Sequence, residues 1–154
     1  MSGVEIVVLG PDDWAVFKDV RLRALAEAPD AFGSSYAGWV DAPEERWRER
    51  VTTVPLNVVA RIGDDVVGVA SGMPGDDGVE LISMWVDPAA RGTGTAQSLI
   101  DAVVAWAGER PTYLSVRSDN ARAVAAYVKA GFVLVGPSPE QADDEPPEDL
   151  MVRT

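Results

Sequence analysis

The sequence predicts a mixed α/β fold in one domain, residues 1–154, whose central sheet is largely antiparallel and contains one parallel strand pair. Three observations support this fold class. Short apolar runs alternate with amphipathic stretches along the whole chain, and no repeat or linker interrupts them. Three consecutive runs are joined by connections too short for a crossover, which predicts antiparallel pairing. Further along, a helix separates two strands, as in a right-handed parallel crossover.

The first third of the chain predicts one strand and two helices. The apolar run 4–9 is typical of a short strand, and apolar residues at helical spacing then predict a helix over 14–28, which Pro29 ends. A proline followed by two glutamates opens a second predicted helix, over 43–53, because proline and acidic residues suit a first helical turn. The segment 30–36 between the helices is predicted to be a loop.

The middle of the chain predicts three strands joined by tight turns. Glycine with aspartate or proline separates the apolar runs, which is typical of hairpins. The predicted strands are 56–62, 66–73 and 79–86. Along the third strand, simple alternation predicts that Glu80 and Met84 share one face of the sheet while Ser83 lies on the other.

The last third predicts alternating strands and helices that return to the sheet. Asn120 is a typical helix N-cap and Gly131 a typical residue just beyond a helix C-terminus, so together they bound one helix. The predicted elements are a helix over 95–107, a strand over 112–117, the helix between Asn120 and Gly131, and strands over 132–135 and 150–153. Prolines and acidic residues make 136–148 an expected exposed loop.

Composition excludes several kinds of chemistry. The chain has no Cys and no His, which excludes a thiol nucleophile, a Ser-His-Asp triad and a Cys/His zinc site, so no metal is expected. Proton transfer would then fall to Asp, Glu, Tyr, Lys or an ordered water. No apolar run approaches a membrane span, the start of the chain lacks the basic residues of a signal peptide, and cysteine is absent. We therefore expect a cytoplasmic protein with no membrane partner.

The net charge of −12 constrains the partners of the protein. It argues against nonspecific binding to nucleic acid, because a phosphate backbone is repelled by an acidic surface. The same charge would favour a cationic substrate such as an amine, or it serves only to keep the protein soluble.

Residues 84–96 carry the most specific signal for function. An apolar strand ends there, a turn containing Arg91, Gly92 and Gly94 follows, and a helix begins directly after it. Unpaired backbone N–H groups at such a helix start bind phosphate. Gln97 stands where a dinucleotide fingerprint needs a third glycine, and the chain lacks the Gly-Lys-Ser/Thr of a P-loop, so neither nucleotide site fits. A purely structural turn is the alternative.

This turn resembles the acyl-CoA-binding signature of the GNAT superfamily of N-acyltransferases. Arg91, Gly94 and Ala96 match its pattern of Gln or Arg, two residues, Gly, one residue, then Gly or Ala. A second segment is similar to the strand, helix and strand that follow the signature in that family: Leu114-Ser115-Val116, Asn120, Ala123, Tyr127 and Gly131-Phe132. A weaker resemblance to the substrate-side helices covers 21–25, 29–33 and Trp47.

The resemblance implies a GNAT-like fold, with a mixed, largely antiparallel sheet of six to seven strands, one splayed parallel pair, and about four flanking helices. It also implies acetyl-CoA (coenzyme A) as co-substrate, with the pantetheine arm paired to strand backbone. The implied contacts are Met84, Trp85, Val86, Arg91, Gly92, Thr93, Gly94, Thr95, Ala96, Asn120, Ala123 and Tyr127. Arg117 and Arg122 fall in the same region and fit an anion site, whereas Lys129 is better explained as an exposed surface residue.

Two residues are candidates for proton transfer. The resemblance implies that Tyr127 is a general acid near the coenzyme sulfur, and the alternative is a core aromatic. Glu80 is the candidate base, directly or through an ordered water, because an acid in an apolar strand is costly to bury without a purpose. Otherwise Glu80 lies at an exposed strand start. Asn120 is first a helix cap, and one side chain cannot fully serve both the cap and the pantetheine arm.

The predicted function is that of an acetyl-CoA-dependent N-acetyltransferase. The acetyl group would pass to a primary amine of a small molecule, peptide or protein by direct attack on the thioester. The acceptor pocket is expected to contain Phe32, Ser34, Ser35 and Tyr36, with Trp39 as a wall. The alternative function is a noncatalytic acyl-CoA-binding sensor or regulatory module. An open sheet edge would allow a homodimer.

Overall fold

The computed structural model describes residues 3–28, 35–138 and 147–154, and these form seven strands and five α-helices, with two single-turn 3-10 helices. The strands are β1 (Val4–Val8), β2 (Leu56–Ile62), β3 (Asp65–Gly75), β4 (Gly78–Val86), β5 (Thr112–Arg117), β6 (Val133–Pro137) and β7 (Glu148–Arg153). The helices are α1 (Trp14–Glu27), α2 (Tyr36–Trp39), α3 (Glu44–Thr53), α4 (Thr95–Ala107) and α5 (Ala121–Lys129). All seven strands join one sheet in the order β1-β2-β3-β4-β5-β7-β6, which confirms the predicted mixed α/β fold.

The parallel pair β4–β5 creates an opening in the sheet. Every other pairing is antiparallel, and β4 meets β5 only where Val79 pairs with Thr112 and Glu80 with Tyr113. Both strands continue for several residues beyond this contact, so their C-terminal ends separate. The backbone of β4 from residue 81 onward therefore has no strand partner on the β5 side within the described chain.

Helices cover the sheet on two sides. On one side, called here the α4 face, α4 packs over β2, β3 and β4 in a core that includes Leu81 and Leu99. On the other side, the α1 face, α1 and α3 pack around Phe17, Trp47 and Trp85. Because β4 is buried between both cores, its side chains decide what each face presents at the opening.

A bulge interrupts β4 at Ser83. Val69 of β3 pairs with Trp85. Two residues further along β3, Ser71 pairs with Ile82, which is three residues back along β4. One residue of β3 therefore faces two of β4, as in a β-bulge. Ser83 has φ +58°, a left-handed conformation that residues other than glycine rarely adopt.

The bulge corrects the predicted alternation of side chains along β4. Leu81 and Met84 both pack with the α4-face core, although they are three positions apart, a spacing that simple alternation would place on opposite faces. Ser83 instead faces α3, where it accepts a hydrogen bond from Arg50. The prediction that Glu80 and Met84 share a face is therefore wrong, because the extra residue reverses the alternation beyond Ile82. Strand alternation cannot reveal such an insertion, since only the pairing with β3 defines it.

One further element lies within the predicted 30–36 loop. Tyr36 begins the single-turn helix α2, whose N-cap Ser35 accepts a hydrogen bond from the N–H of Gly38 at 3.1 Å. The remaining predicted helices and strands are present with boundaries shifted by at most two residues, and most of the predicted loop 136–148 lies outside the described residues. None of the helices in the described ranges is long and apolar enough to cross a membrane.

Candidate active site

A cavity of about 430 Å³ opens where β4 and β5 separate, a volume typical of small-molecule sites. It is lined by Ala28, Met84, Trp85, Val86, Arg91, Gly92, Gly94, Ala96, Gln97, Ile100, Asn120, Arg122, Ala123, Ala125, Ala126, Tyr127 and Lys129. The structure thus brings together all residues predicted to contact coenzyme A except Thr93 and Thr95. Residues from β4, the signature turn, α4 and α5 converge here, although they are far apart in sequence.

The two glycines of the signature turn leave backbone open to the cavity. Gly92 has φ +83° and Gly94 has φ +86°, which favour glycine, and a Cβ at either position would meet no described atom within 4 Å. Gly94 is also the N-cap of α4 and has no side chain to cap the helix. The N–H groups of the first turn of α4 are therefore available to an anion.

Thr93 and Thr95 stabilise this turn and do not line the cavity. Their hydroxyl oxygens lie 2.7 Å apart, and the Thr93 hydroxyl donates to the carbonyl of Ala90. Thr95 is fully buried and neither residue lines the cavity. The structure therefore gives these two threonines a supporting position, where the sequence predicted ligand contact.

Arg91, the arginine of the signature turn, forms a salt bridge with Glu27 of α1. Nη2 of Arg91 lies 3.3 Å from Oε1 of Glu27, and Nε1 of Trp85 donates to Oε2 of Glu27 at 2.9 Å. The indole of Trp85 therefore points into the α1 face. Arg91 meets the cavity with part of its charge already offset by Glu27.

A second link between α1 and the turn runs through Asp87. Arg23 donates to Asp87 Oδ2 at 2.8 Å and to the carbonyl of Val66 at 2.8 Å. The backbone N–H of Ala89 donates to the other carboxylate oxygen at 2.9 Å. The N–H of Ala89 and, to a lesser extent, the Arg23 guanidinium hold the pKa of Asp87 below its ordinary value. Asp87 thus fixes the turn between β4 and α4.

Asn120 resolves the predicted conflict between capping and ligand binding. Its Oδ1 accepts from the N–H of Ala123 at 3.2 Å, which caps α5. Its Nδ2 donates to no residue that the structure describes, and Asn120 lines the cavity. The cap uses the oxygen alone, so the amide nitrogen can still serve a ligand.

Tyr127 lines the cavity and is also part of the core. Its side chain is 8% exposed, and its ring meets Phe132 edge-on with ring centres 5.8 Å apart. Burial raises the pKa of the Tyr127 hydroxyl above its ordinary value, so this group stays protonated at neutral pH. The two interpretations of this residue, core aromatic and site hydroxyl, are therefore compatible.

Basic residues at the cavity agree only partly with the prediction. Arg122 lines it as expected, and Lys129, which is exposed as predicted, lines it as well. Arg117 does not line it and instead donates to Asp119 at 2.9 Å. Lys129 lies seven residues after Arg122, two helical turns along α5, so both reach the same side of the helix. That spacing is the signal that the sequence offered for Lys129.

Other lining residues were missed at the sequence level. Gln97 donates from Nε2 to the carbonyl of Ala126 at 3.1 Å, which joins α4 to α5 across the cavity. Ile100 follows Ala96 by one helical turn and continues the same side of α4. Helical spacing from Ala96 would have identified Ile100, whereas the contact of Gln97 depends on how two helices meet.

The structure does not bring Glu80 to this cavity. Glu80 lies near the start of β4 and is half-buried, between Val79 and Leu81 of the α4-face core, so alternation directs it to the α1 face. Of the predicted acceptor residues, Tyr36 is exposed on α2, while Phe32 and Ser34 fall outside the described residues.

Directly behind the bulge, on the α1 face, lies a group of polar side chains that sequence reasoning did not connect. Arg50 of α3 hydrogen-bonds Asn57, Ser71 and Ser83, one residue from each of three adjacent strands. Arg21 of α1 is buried close by. These five side chains are called here the bulge cluster.

The arrangement can hold an anionic, elongated ligand on one side of β4 and present a second polar site on the other. Open N–H groups, Arg122 and Lys129 suit phosphate, and the unpaired edge of β4 suits a chain of amide groups. The buried hydroxyl of Tyr127 supplies a proton donor in a water-poor space.

Comparisons with known proteins agree with this geometry. The family model described as Acetyltransferase (GNAT) family matches residues 22–132. An uncharacterised N-acetyltransferase of Mycobacterium tuberculosis is 34% identical over 123 residues, covering 75% of this chain and 79% of that protein. An uncharacterised protein of Mycobacterium leprae is 35% identical over 96 residues, covering 60% of this chain, and the match spans only 27% of that longer protein.

Solved structures show the same fold. A GNAT-family acetyltransferase of Streptococcus pneumoniae superposes with a TM-score of 0.78 at 18% identity, covering 97% of this chain and 98% of that one. The yncA protein of Salmonella typhimurium, solved with its cofactor acetyl-CoA, gives a TM-score of 0.71 at 18% identity and covers 97% of this chain and 92% of that one. From the family match and the mycobacterial N-acetyltransferase relative, we conclude that this chain belongs to the GNAT family of acetyltransferases and is an enzyme of the N-acetyltransferase type.

Proposed function

We propose that this chain transfers the acetyl group of acetyl-CoA to a primary amine, which attacks the thioester directly. The observation that carries the proposal is a single cavity with three features. It has a helix N-terminus with two open glycines, the unpaired edge of β4, and the buried hydroxyl of Tyr127. These features suit the diphosphate, the amide-containing arm and the sulfur of one acyl-CoA molecule.

The residues present fit coenzyme A. The N–H groups of 92–97, with Arg122 and Lys129, would hold the diphosphate, and the main chain of 84–86 would pair with the pantetheine amides. Asn120 would add a donor from its amide nitrogen. When bound, the coenzyme supplies an acetyl group as an activated thioester.

Transfer forms a bond between the amine nitrogen and the acetyl carbon and breaks the carbon–sulfur bond. The nitrogen loses a proton and the departing sulfur gains one, so no other reactant is needed. Tyr127 is the proposed donor to the sulfur, because burial keeps its hydroxyl protonated. The same apolar surroundings would also raise the pKa of a thiol, so the departing sulfur would take up a proton more readily there than in water.

Glu80 is the proposed base on the acceptor side. It lies on the α1 face of β4, three residues before Ser83 at the bulge, or about 10 Å along the strand. At that distance it would act through a chain of ordered waters. Acceptor and donor would then approach the bulge from opposite faces of the sheet.

A coupled assay of thiol release tests the proposal. The protein and acetyl-CoA are incubated with panels of amino acids, polyamines, aminoglycosides and short peptides, and the products are identified by mass spectrometry. We expect thiol release that requires both the protein and one class of amine, with an acetylated amine as product. Tight coenzyme A binding without amine-dependent release for any panel would favour a sensor and contradict the proposed transfer.

Two wider proposals accompany the reaction. We propose a cytoplasmic location, in keeping with a chain without cysteine. We also propose a homodimer through the edge strand β6, where Val133, Leu134 and Val135 are exposed. Light scattering would detect the dimer, and a purely monomeric protein at micromolar concentration would contradict it.

A further inference from the structure

We infer that the acceptor is a small primary amine that also carries a carboxylate, and that Arg50 of the bulge cluster binds this carboxylate. The inference rests on the proposed function, since it names the acceptor class of the same site. It differs from the expectation drawn from the net charge of −12, which favoured an acceptor recognised by its positive charge alone.

Arg50 is a half-buried cation whose contacts are with neutral groups. Its Nη1 donates to Asn57 Oδ1 at 3.0 Å. Its Nη2 donates to Ser83 Oγ at 3.1 Å and to Ser71 Oγ at 3.3 Å. Its guanidinium carbon lies 4.8 Å from the ring centre of Phe17. Within the described ranges, no carboxylate lies within ion-pair distance of Arg50.

This lack of a carboxylate partner distinguishes Arg50 from an arginine such as Arg110, which also forms no salt bridge with a described residue but is exposed to water. The sequence has 25 acidic residues against 13 basic ones, so a carboxylate is easily supplied wherever an arginine needs one. Arg23, Arg48 and Arg61 each form a salt bridge with a described residue, and those contacts lie nearer the surface. Arg50 is more deeply buried than these three arginines, so a nearby anion would offset a larger cost of burying its charge.

The electrostatics of the bulge cluster point to an anionic ligand. Removal from water lowers the pKa of Arg50 to about 10. Burial and then repulsion by Arg50 lower the pKa of Arg21 to about 10. Both groups still carry their charge at neutral pH, so two like charges lie close together on the α1 face. A bound carboxylate would offset the cost of burying the charge of Arg50.

The rest of the cluster holds the Arg50 guanidinium in place. Asn57 is fully buried, and its Nδ2 donates to the carbonyls of Val51 and Val54 at the end of α3. Its Oδ1 accepts from Ser71 at 2.8 Å as well as from Arg50. The fold has therefore already ordered the arginine, which lowers the entropic cost of binding a ligand.

The position of the cluster relates it to the reaction. Ser83, which accepts from Arg50, is followed directly by Met84, which lines the donor cavity from the opposite face. Because Ser83 and Met84 are adjacent in the chain, the two sites meet at the same point of β4. An acceptor with its amine only a few atoms from its carboxylate would suit two sites that meet in this way.

The test compares each acid with its own amide. Titration calorimetry on protein saturated with coenzyme A measures binding of L-amino acids and of the corresponding primary amides. A second pair, dipeptides with N-terminal aspartate or asparagine, distinguishes a free amino acid from a peptide as the source of the carboxylate. We expect at least one acid to bind about 10- to 100-fold more tightly than its amide, the range of one charge-assisted contact.

Variants of α3 assign this preference to one side chain. Arg50→Gln should abolish the preference for acid over amide, and Arg50→Lys should keep part of it, because lysine retains the charge without the planar fork. Arg48→Gln is the matched control, since Arg48 lies on the outer side of the same helix and pairs with Glu44 and Asp12. Coenzyme A affinity reports whether each variant is folded.

The outcomes separate this inference from the proposed function. Equal binding of acids and amides, no binding of any acid, or a preference that survives in Arg50→Gln would overturn the inference. Amine-dependent acetyl transfer without any acid preference would leave the proposed function intact. Acid-selective binding that requires Arg50, together with no acetyl transfer, would support the binding site and contradict the proposed reaction.

Discussion

The two faces of β4 present different kinds of binding surface at the point where the sheet opens. On the α4 face, the cavity is formed by main chain and small residues, with Gly92, Gly94 and Ala123 leaving room for close approach. On the α1 face, the surface is a set of polar side chains centred on Arg50 and Ser83. The donor site therefore depends on backbone geometry, and the proposed acceptor site depends on side-chain identity.

This difference predicts which ligand's binding each kind of substitution should change. A ligand held by N–H groups and a strand edge tolerates varied side chains but not altered backbone. A ligand held by a buried charge tolerates neither removal of the charge nor loss of its supports. Substitutions on one face should change one ligand and spare the other, unless they alter the bulge itself.

The largest effect is expected from Tyr127→Phe, on the donor face. Loss of the hydroxyl should lower kcat about 100- to 1000-fold, the usual contribution of a positioned proton donor, while coenzyme A affinity stays within about twofold. Steady-state kinetics and calorimetry measure the two quantities. Unchanged kcat would exclude Tyr127 as the acid.

The raised pKa of Tyr127 also predicts how kcat depends on pH. Burial raises the pKa of Tyr127, so its protonated form persists through pH 6–9 and should cause no fall in kcat over that range. A falling limb near neutral pH that disappears in Tyr127→Phe would show that the hydroxyl ionises there and contradict this picture.

Gly94→Val should have the next largest effect, on donor binding. Valine at φ +86° costs about 1–2 kcal/mol of stability and also fills the space that a diphosphate needs. Gly63→Val is the matched control, because Gly63 has φ +61° and equally open surroundings in the β2–β3 turn. Both variants should lose similar stability, and only Gly94→Val should lose coenzyme A affinity, by at least about 30-fold. Equal affinity in the two variants would contradict a diphosphate site at the turn.

The donor site could be predicted from the sequence because its signals are local. The turn from Arg91 to Ala96 is a short contiguous pattern, and Asn120 and Gly131 mark the ends of α5 by their own backbone preferences. Helical spacing also links Ala123 and Tyr127 on one side of α5. Such features need no knowledge of which strands pair.

The α1 face could not be predicted in the same way. Ser83 looks like a tolerated serine in a strand, and only its pairing with β3 reveals the bulge that turns it toward α3. Asn57 and Ser71 are single polar residues in apolar strands, and their link to Arg50 depends on how α3 packs. Tertiary contacts between distant segments leave no periodic pattern in the sequence.

The Glu80→Gln variant tests the acceptor face, with a smaller expected effect than the variants of the donor face described above. If Glu80 accepts the amine proton through water, the variant should lower kcat about tenfold and lose the rise of rate with pH, with no change in coenzyme A affinity. Glu5→Gln, a strand carboxylate paired with Arg61 at the far edge of the sheet, is the control. A variant that keeps the rising limb would exclude Glu80 as the base.

The smallest effect is expected from Arg91→Gln. Arg91 already shares its charge with Glu27 and is partly exposed, so its loss should weaken coenzyme A binding by about three- to fivefold and reduce the dependence on salt. Titrations at low and high ionic strength measure this. An effect as large as that of Gly94→Val would show that side-chain charge, more than backbone, holds the donor.

The most direct test of the division between the two faces is a crystal structure of the protein with coenzyme A. We expect the diphosphate on the N–H groups of 92–97, the pantetheine arm beside the main chain of 84–86, and the sulfur within hydrogen-bonding reach of the Tyr127 hydroxyl, with the bulge cluster untouched. Coenzyme A bound on the α1 face, or well ordered with its sulfur remote from Tyr127, would contradict the account.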